Sequence, residues 1–262
     1  MINKLFSRSC SIAFLIAAIL FTAAAQGGAP QSGPRGPSDT VREFYKAMRE
    51  HRFRDAFALT IYKPAVESLT ADEMEDLRPS FEEKAGKIPE QVEITGEQIS
   101  RNIATVFVKI PVNEETPQVT SEPVTLINSG GVWIIGTEAD QAVVKKAGRR
   151  FFLDALIDGN QGTMEDLLKR LVGVEIAYSL QHDGRFGDLQ ALIKEGLMSN
   201  DVADPAASGY NFHVTLSGDG KGYVAGAEPL RQGRTGKLSF WMDQTGAIKS
   251  ADNGGKPLSA PK

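Results

Sequence analysis

The chain has 262 residues, a formal net charge of −4 and only three histidines, and 41% of its residues are hydrophobic. This length is enough for two modest domains, and the mild acidity argues against nucleic acid as a partner. The one cysteine, Cys10, lies in the N-terminal segment. If that segment is removed, the mature chain can form neither disulfides nor cysteine-based metal sites.

Residues 1–25 have the three parts of a secretory signal peptide. Lys4 and Arg8 give a basic start, residues 11–21 form an apolar core, and three alanines at 23–25 offer a cleavage site. The alternative is an uncleaved anchor helix, although the apolar run is shorter than the roughly 20 residues that a span needs. We therefore expect an exported protein, periplasmic or extracellular, that contacts the membrane only through this segment if it is uncleaved.

Residues 26–37 are rich in glycine and proline and predict a disordered tether. Residues 38–137 predict the first domain. Ser38 is expected to cap a helix, and apolar residues then recur at helical spacing. From Gln91 the apolar period changes to two, and a hairpin is expected across Asn128–Gly131. Helices followed by antiparallel strands predict an α+β domain.

Two segments of this domain carry a resemblance to a known superfamily. The opening TVREFYKAMREHRFRDAFAL and the later TLINSGGVWIIG resemble the cone-shaped, cystatin-like superfamily named after nuclear transport factor two, and in particular its small exported members. The resemblance implies a curved antiparallel sheet around helices, with a pocket at the wide end. Tyr45 and Asp55 could face that pocket. The alternative is that they only satisfy hydrogen bonds on a core helix.

Residues 138–162 predict a connecting helix, over about 138–157, followed by a linker at residues 158–162. The cations of this helix are spaced to share one face: Lys145, Lys146, Arg149 and Arg150. Beside two phenylalanines, they could contact an anionic lipid surface. The alternative is a solvated linker face.

Residues 163–262 predict a second α+β domain with a disordered C-terminal tail. A helix is expected from Met164 to Leu180, with Thr163 as its cap and one apolar stripe. Antiparallel strands joined by glycine-rich turns are expected from Gly209 to Ile248. His213 falls on the polar face of its strand and is a possible surface contact. Trp241 is either core or a surface anchor.

The spacing of residues in this second domain carries another resemblance. Tyr178 on the helix precedes Gly209-Tyr210-x-Phe212, Tyr223-x-Ala225-x-Ala227-x-Pro229 and Ser239-Phe240-x-x-Asp243-x-x-Gly246-x-Ile248. This pattern resembles the globular head of type IV pilin-like and type II secretion pseudopilin-like proteins. The resemblance implies a helix packed over an antiparallel sheet. It also implies partners among envelope, pilus or secretion proteins.

The sequence offers no catalytic constellation. His51, His182 and His213 lie in different elements and have no metal-ligand spacing, so we expect neither a cofactor nor a metal. The favoured function is a non-enzymatic binding or assembly module of the cell envelope, accessory to a pilus or a secretion system. One alternative is a small-molecule binder or enzyme that uses the cone pocket. Another is a structural spacer.

Overall fold

The computed structural model describes residues 35–111 and 119–259. Its helices and two four-stranded antiparallel sheets confirm the predicted α+β class. The described residues form two compact units. Residues 35–67, 84–111 and 119–146 make up the first unit, and residues 68–83 and 147–259 make up the second. The predicted signal peptide, most of the predicted tether and the last three residues lie outside the described part.

The first unit combines short helices with one sheet. Its helices are α1 (Pro37–Arg49), α2 (Phe53–Ala58), α3 (Lys63–Glu67), the last residues of α4 (Ala71–Gly86) and α5 (Glu138–Ala147). Its strands are β1 (Glu93–Ser100), β2 (Ile103–Pro111), β3 (Val119–Ser129) and β4 (Val132–Ile135), paired in sequence order. The predicted alternation is confirmed on β2, where Ala104, Val106 and Val108 are buried and the residues between them are not.

The predicted hairpin of the first unit is confirmed, because β3 and β4 pair across residues 128–131. Gly130 and Gly131 both have positive φ, a conformation that glycine adopts without steric strain. The Asn128 side chain accepts the Gly131 N–H at 2.9 Å and holds the turn.

The prediction that Ser38 caps α1 is wrong. The helix begins at Pro37, and the cap position, Gly36, makes no side-chain cap hydrogen bond. Proline suits the first helical position because its missing N–H would have no partner there. Ser38 instead donates its N–H and its hydroxyl to Glu97 Oε2, at 2.8 and 2.5 Å.

The second unit packs a long helix against a sheet. Its elements are the first turns of α4, then α6 (Arg150–Gln181), α7 (Leu189–Lys194), a 3₁₀ helix (Asn200–Ala203), α8 (Pro205–Ser208), β5 (Tyr210–Leu216), β6 (Tyr223–Pro229), β7 (Ser239–Asp243) and β8 (Lys249–Ala251). The strands pair in sequence order. One buried cluster joins Leu168 and Leu171 of α6 to Tyr210, Ala225 and Met242 of the sheet.

Helix α6 corrects two predictions. Residues 158–162 do not break the chain, and the helix predicted from Met164 begins at Arg150. A glycine inside a helix costs only about 1 kcal/mol, and tertiary hydrogen bonds offset that cost here. Asn160 donates to the Thr235 carbonyl at 2.8 Å, and Gln161 accepts the N–H groups of Lys237 and Leu238 at 3.1 and 3.0 Å.

The single connecting helix predicted over residues 138–157 is also wrong. Helix α5 ends at Ala147, and Gly148 has a φ of +55°, which stops the helix. The four predicted surface cations therefore do not share one helix. In the described ranges, no helix is both long enough and apolar enough to cross a membrane.

Candidate functional site

A cavity of about 310 Å³ lies in the second unit, between α6 and the chain that follows α7. This volume is at the lower end of the range for small-molecule sites, which is about 300–1,000 Å³. Its walls are formed by Thr163, Met164, Leu167, Arg170, Leu171, Val174, Leu197, Met198, Ser199, Asp201, Val202, Ala207 and Ser208. Seven of these thirteen are large apolar side chains, so the cavity favours an apolar group.

The first wall is one face of α6. Its lining positions, from residue 163 to residue 174, recur at spacings of three and four, which places them on the same side of a helix. Leu167 and Leu171 are buried and connect this wall to the core of the unit. Arg170 is exposed. The wall is therefore an apolar surface with one cationic position.

The opposite wall is built from short elements whose ends the sequence fixes. Gly196 ends α7 with a φ of +71°, and Leu197 and Met198 follow it into the cavity wall. Asp204 caps α8 by accepting the Ala206 N–H at 2.9 Å, and Gly209 ends α8 with a φ of +72°. These turns hold the 3₁₀ helix and α8 opposite α6.

The polar side chains of the lining differ in whether they already form hydrogen bonds within the protein. The Ser208 hydroxyl donates to the Tyr210 carbonyl at 2.9 Å and accepts the Tyr210 N–H at 3.2 Å. The Asp201 carboxylate accepts the Ser199 hydroxyl. Within the described part of the chain, Arg170 has neither an ion pair nor a hydrogen bond. Its guanidinium is the polar group of the lining with the most donors available to a ligand.

A buried carboxyl lies further along α6. Glu175 has no exposed surface, and its Oε2 accepts the Gly187 N–H at 2.9 Å. Its Oε1 and the nearby buried hydroxyl of Tyr223 have no hydrogen-bond partner among the described residues. Burial raises the pKa of Glu175 to about 7, and the Asp188 charge also raises it, while the Gly187 hydrogen bond lowers it. This carboxyl can therefore change its protonation near neutral pH.

Aromatic and acidic side chains surround the end of α6. The Tyr178 and His182 rings stack at 3.8 Å between centroids, and His182 Nε2 lies 2.9 Å from Glu195 Oε1. His182 is the cap residue that ends α6. These contacts hold the segment between α6 and α7 and add no open space, so we regard them as structural.

The four cations predicted as a surface contact are divided between two helices and the turn that joins them. Lys145 and Lys146 are exposed in the last turn of α5. Arg149 precedes α6, and its Nε lies 3.9 Å from Glu73 Oε1. Arg150 donates to the Gly233 carbonyl at 3.0 Å and pairs with Asp154. Both arginines are therefore engaged in contacts within the second unit.

His213 and Trp241 lie in one row across the second sheet, on either side of Gly226. His213 is exposed, as its polar-face position predicts, and its Nδ1 lies 3.6 Å from Glu228 Oε2. Burial raises the pKa of the Glu228 carboxyl, which His213 partly opposes. Trp241 is only 6% exposed, with Lys249 Nζ 5.7 Å from the ring centre. Of the two interpretations of Trp241, this burial favours core.

The two residues suggested for a cone pocket have separate environments. Tyr45 is buried in the first unit, and burial, with a smaller effect of the Glu122 charge, raises its pKa to about 12. Asp55 is exposed and pairs with Arg52 at 2.8 Å. Over residues 35–111 and 119–259, no three His, Cys, Asp or Glu side chains are grouped so that they could hold a metal ion.

The sequence alone does not reveal this cavity. The apolar stripe of α6 was predicted, and Arg170 interrupts it at helical spacing between Leu167 and Val174, which is a usable signal. In the opposite wall, over residues 197–208, the apolar residues follow neither the helical nor the strand period, so the sequence does not locate this wall.

No model of a known protein family matches this sequence, and no curated protein matches it. Among solved structures, the chain is similar to a protein of Campylobacter jejuni described as an NTF2-like transpeptidase. The two share 16% sequence identity over 38% of this chain and 97% of the other, with a TM-score of 0.28. A TM-score this low supports no conclusion about the fold or the activity of this chain.

Proposed function

We propose that this chain is an exported binding or assembly module of the cell envelope that binds an apolar group in the cavity of its second unit. Export is inferred from residues 1–25, and a pilus or secretion system as the setting is inferred from the pilin-like spacing of residues 163–262. We also propose that the first unit is a cone-like domain. Since fold does not fix function, the proposal depends on the cavity itself.

The observation that carries the proposal is the apolar character of the cavity. Met164, Leu171 and Val174 line one wall, and Leu197 and Met198 line the other. Placing an apolar group there removes both surfaces from water, at about 25 cal/mol per Å² of apolar area. The polar side chains of the lining are those of Arg, Asp, Ser and Thr. Such groups orient a ligand without providing a nucleophile–base pair.

The alternative function, a small-molecule binder or enzyme that uses a cone pocket, has less support. Phe44, Tyr45, Met48 and Phe57 are buried inside the first unit, where they contribute to its core. Among the described residues of that unit, Asp55 pairs with Arg52 at the surface and Tyr45 is buried, which does not favour chemistry at either residue. We therefore place the binding site in the second unit.

The proposal is tested with two matched variants of α8. Ala207 lines the cavity and Ala206 does not, and both are exposed. Ala207→Trp should obstruct the cavity, whereas Ala206→Trp adds the same side chain outside it. The chain from Gln26 to Lys262 and both variants are incubated with an envelope extract and crosslinked. Mass spectrometry then identifies the retained proteins and small molecules.

We expect the wild-type chain and Ala206→Trp to retain the same specific molecule and Ala207→Trp to lose it. Equal retention by all three proteins would exclude the cavity as the binding site. If none of them retained a specific molecule, the binding function itself would be refuted.

A further inference from the structure

The ligand class can be inferred from the cavity lining, and this inference rests on the proposed function. We propose that the cavity binds a single-chain amphiphile with an anionic head, of the alkyl carboxylate type. The head group lies at Arg170, and the alkyl chain lies between α6 and the segment Leu197–Val202.

The lining suits a flexible alkyl chain. Leu167, Leu171 and Val174 provide a continuous apolar ridge along α6, and Met164 and Met198 lie on opposite walls. Methionine side chains are unbranched and polarisable, so they adapt to a ligand without one fixed shape. An alkyl chain needs a long apolar surface and no directional hydrogen bonds, which is what these walls supply.

The size of the cavity selects a single chain. Its volume of about 310 Å³ is at the lower end of the range for small-molecule sites. A lipid with two long acyl chains would exceed this space. One chain of medium length, with its head at the exposed edge, fits the volume and leaves the charged group in contact with water.

Arg170 determines the charge of the head group. It is the only cation of the lining, and its donors have no partner among the described residues. The planar guanidinium presents paired N–H groups that match the two oxygens of a carboxylate. Because Arg170 lies between Leu167 and Val174 on the same ridge, one ligand can contact the cation and the apolar wall together.

Asp201 is the one acidic residue of the lining, and its negative charge would repel an anionic head group. It lies on the other wall, in the first turn of the 3₁₀ helix, and its Oδ1 already accepts the Ser199 hydroxyl. Asp201 forms no ion pair with Arg170 in the described structure, so it does not neutralise the cation. Removing the charge of Arg170 should therefore weaken the binding of an anionic head group, whereas removing the charge of Asp201 should not.

The test uses calorimetry on the chain from Gln26 to Lys262 with soluble probes that have alkyl chains of similar length and an anionic, a neutral or a cationic head group. These probes are decanoate, decanol and decyltrimethylammonium. Decanoate should bind about tenfold more tightly than either of the other two. Shortening the carboxylate to octanoate should weaken binding by about fourfold for each methylene removed.

The variants then locate the head group. Arg170→Gln should weaken decanoate binding about tenfold and leave decanol binding unchanged. Asp201→Asn should keep or strengthen decanoate binding. The matched control is Lys169→Gln, which removes an adjacent exposed cation of α6 that is outside the lining and pairs with Glu165. Its effect on decanoate should be within about twofold.

The outcomes separate this inference from the proposed function. If decanol binds as tightly as decanoate, or if Arg170→Gln binds decanoate normally, the anionic head is refuted while the cavity remains a binding site. A peptide ending in a leucine carboxylate is measured as a further probe, and if it binds more tightly than decanoate, the alkyl chain is refuted and a protein terminus is favoured. If no probe binds while the extract still yields a molecule that Ala207→Trp loses, only the ligand class is wrong.

Discussion

Glu175 makes the stability of the second unit depend on pH. Its carboxyl is fully buried, with one hydrogen bond from Gly187, and its pKa is raised from 4.5 to about 7. The folded state therefore favours the protonated form. We predict that Glu175→Gln, which keeps the acceptor for Gly187 and cannot ionise, removes a large part of this pH dependence.

The magnitude follows from linkage. Each pKa unit corresponds to about 1.4 kcal/mol, so a pKa raised from 4.5 to about 7 corresponds to about 3.5 kcal/mol at most. Because the folded-state pKa lies above the unfolded-state value, the stabilisation is complete below pH 4.5 and is lost as pH rises through about 7. Between pH 5 and pH 8, the contribution of Glu175 to the free energy of unfolding should fall by about 2–3 kcal/mol.

The assay is urea unfolding at several pH values, followed by the fluorescence of Trp241. The chain has two tryptophans, so a Trp133→Phe background makes Trp241, in the second unit, the only reporter. The control, Glu165→Gln, removes an exposed carboxylate of the same helix that pairs with Lys169, and it should shift stability by less than about 1 kcal/mol at every pH. The reasoning is refuted if Glu175→Gln and the wild type keep a constant stability difference from pH 5 to pH 8.

Three further predictions concern the second unit, and urea unfolding measures each. Asp76→Asn should destabilise it by about 2–3 kcal/mol, because two arginines pair with this buried carboxylate; a smaller loss would show that the pairs are solvated. Gly159→Ala and Gly162→Ala should each stabilise by about 0.5–1 kcal/mol, since both lie inside α6 with open space around them, and destabilisation would contradict a continuous helix. Gly236→Ala should destabilise by about 1–3 kcal/mol, because the added methyl group overlaps the buried Tyr210 ring; an unchanged midpoint would argue against that packing.

Features that depend only on residues close together in the sequence could be predicted from it. The alternation on β2 and the turn at residues 128–131 follow from periodicity and glycine chemistry, and the structure has both. The path of α6 could not be predicted, because residues 158–162 look like a break by composition. Hydrogen bonds from Asn160 and Gln161 to residues 235–238 override that local preference.

The same distinction applies to the candidate site. The helical wall of the cavity follows from the spacing of Leu167, Leu171 and Val174, which the sequence displays. The opposite wall depends on how two glycine-terminated turns and an aspartate cap arrange residues 197–208 in space. That arrangement has no period, so only the folded chain brings Met198 and Arg170 to the same cavity.

The assignment of residues 68–83 to the second unit has a consequence for synthesis. Elements of the first unit precede and follow this segment, so the polypeptide passes between the units three times. Asp76 leaves the ribosome 158 residues before its partner Arg234. The second unit therefore completes its fold only when the C-terminal strands are made, and a fragment that starts at Ala147 would lack Asp76. Although the chain has two compact units, neither of them is one continuous stretch of the sequence, so cutting the chain at a single point cannot separate them intact.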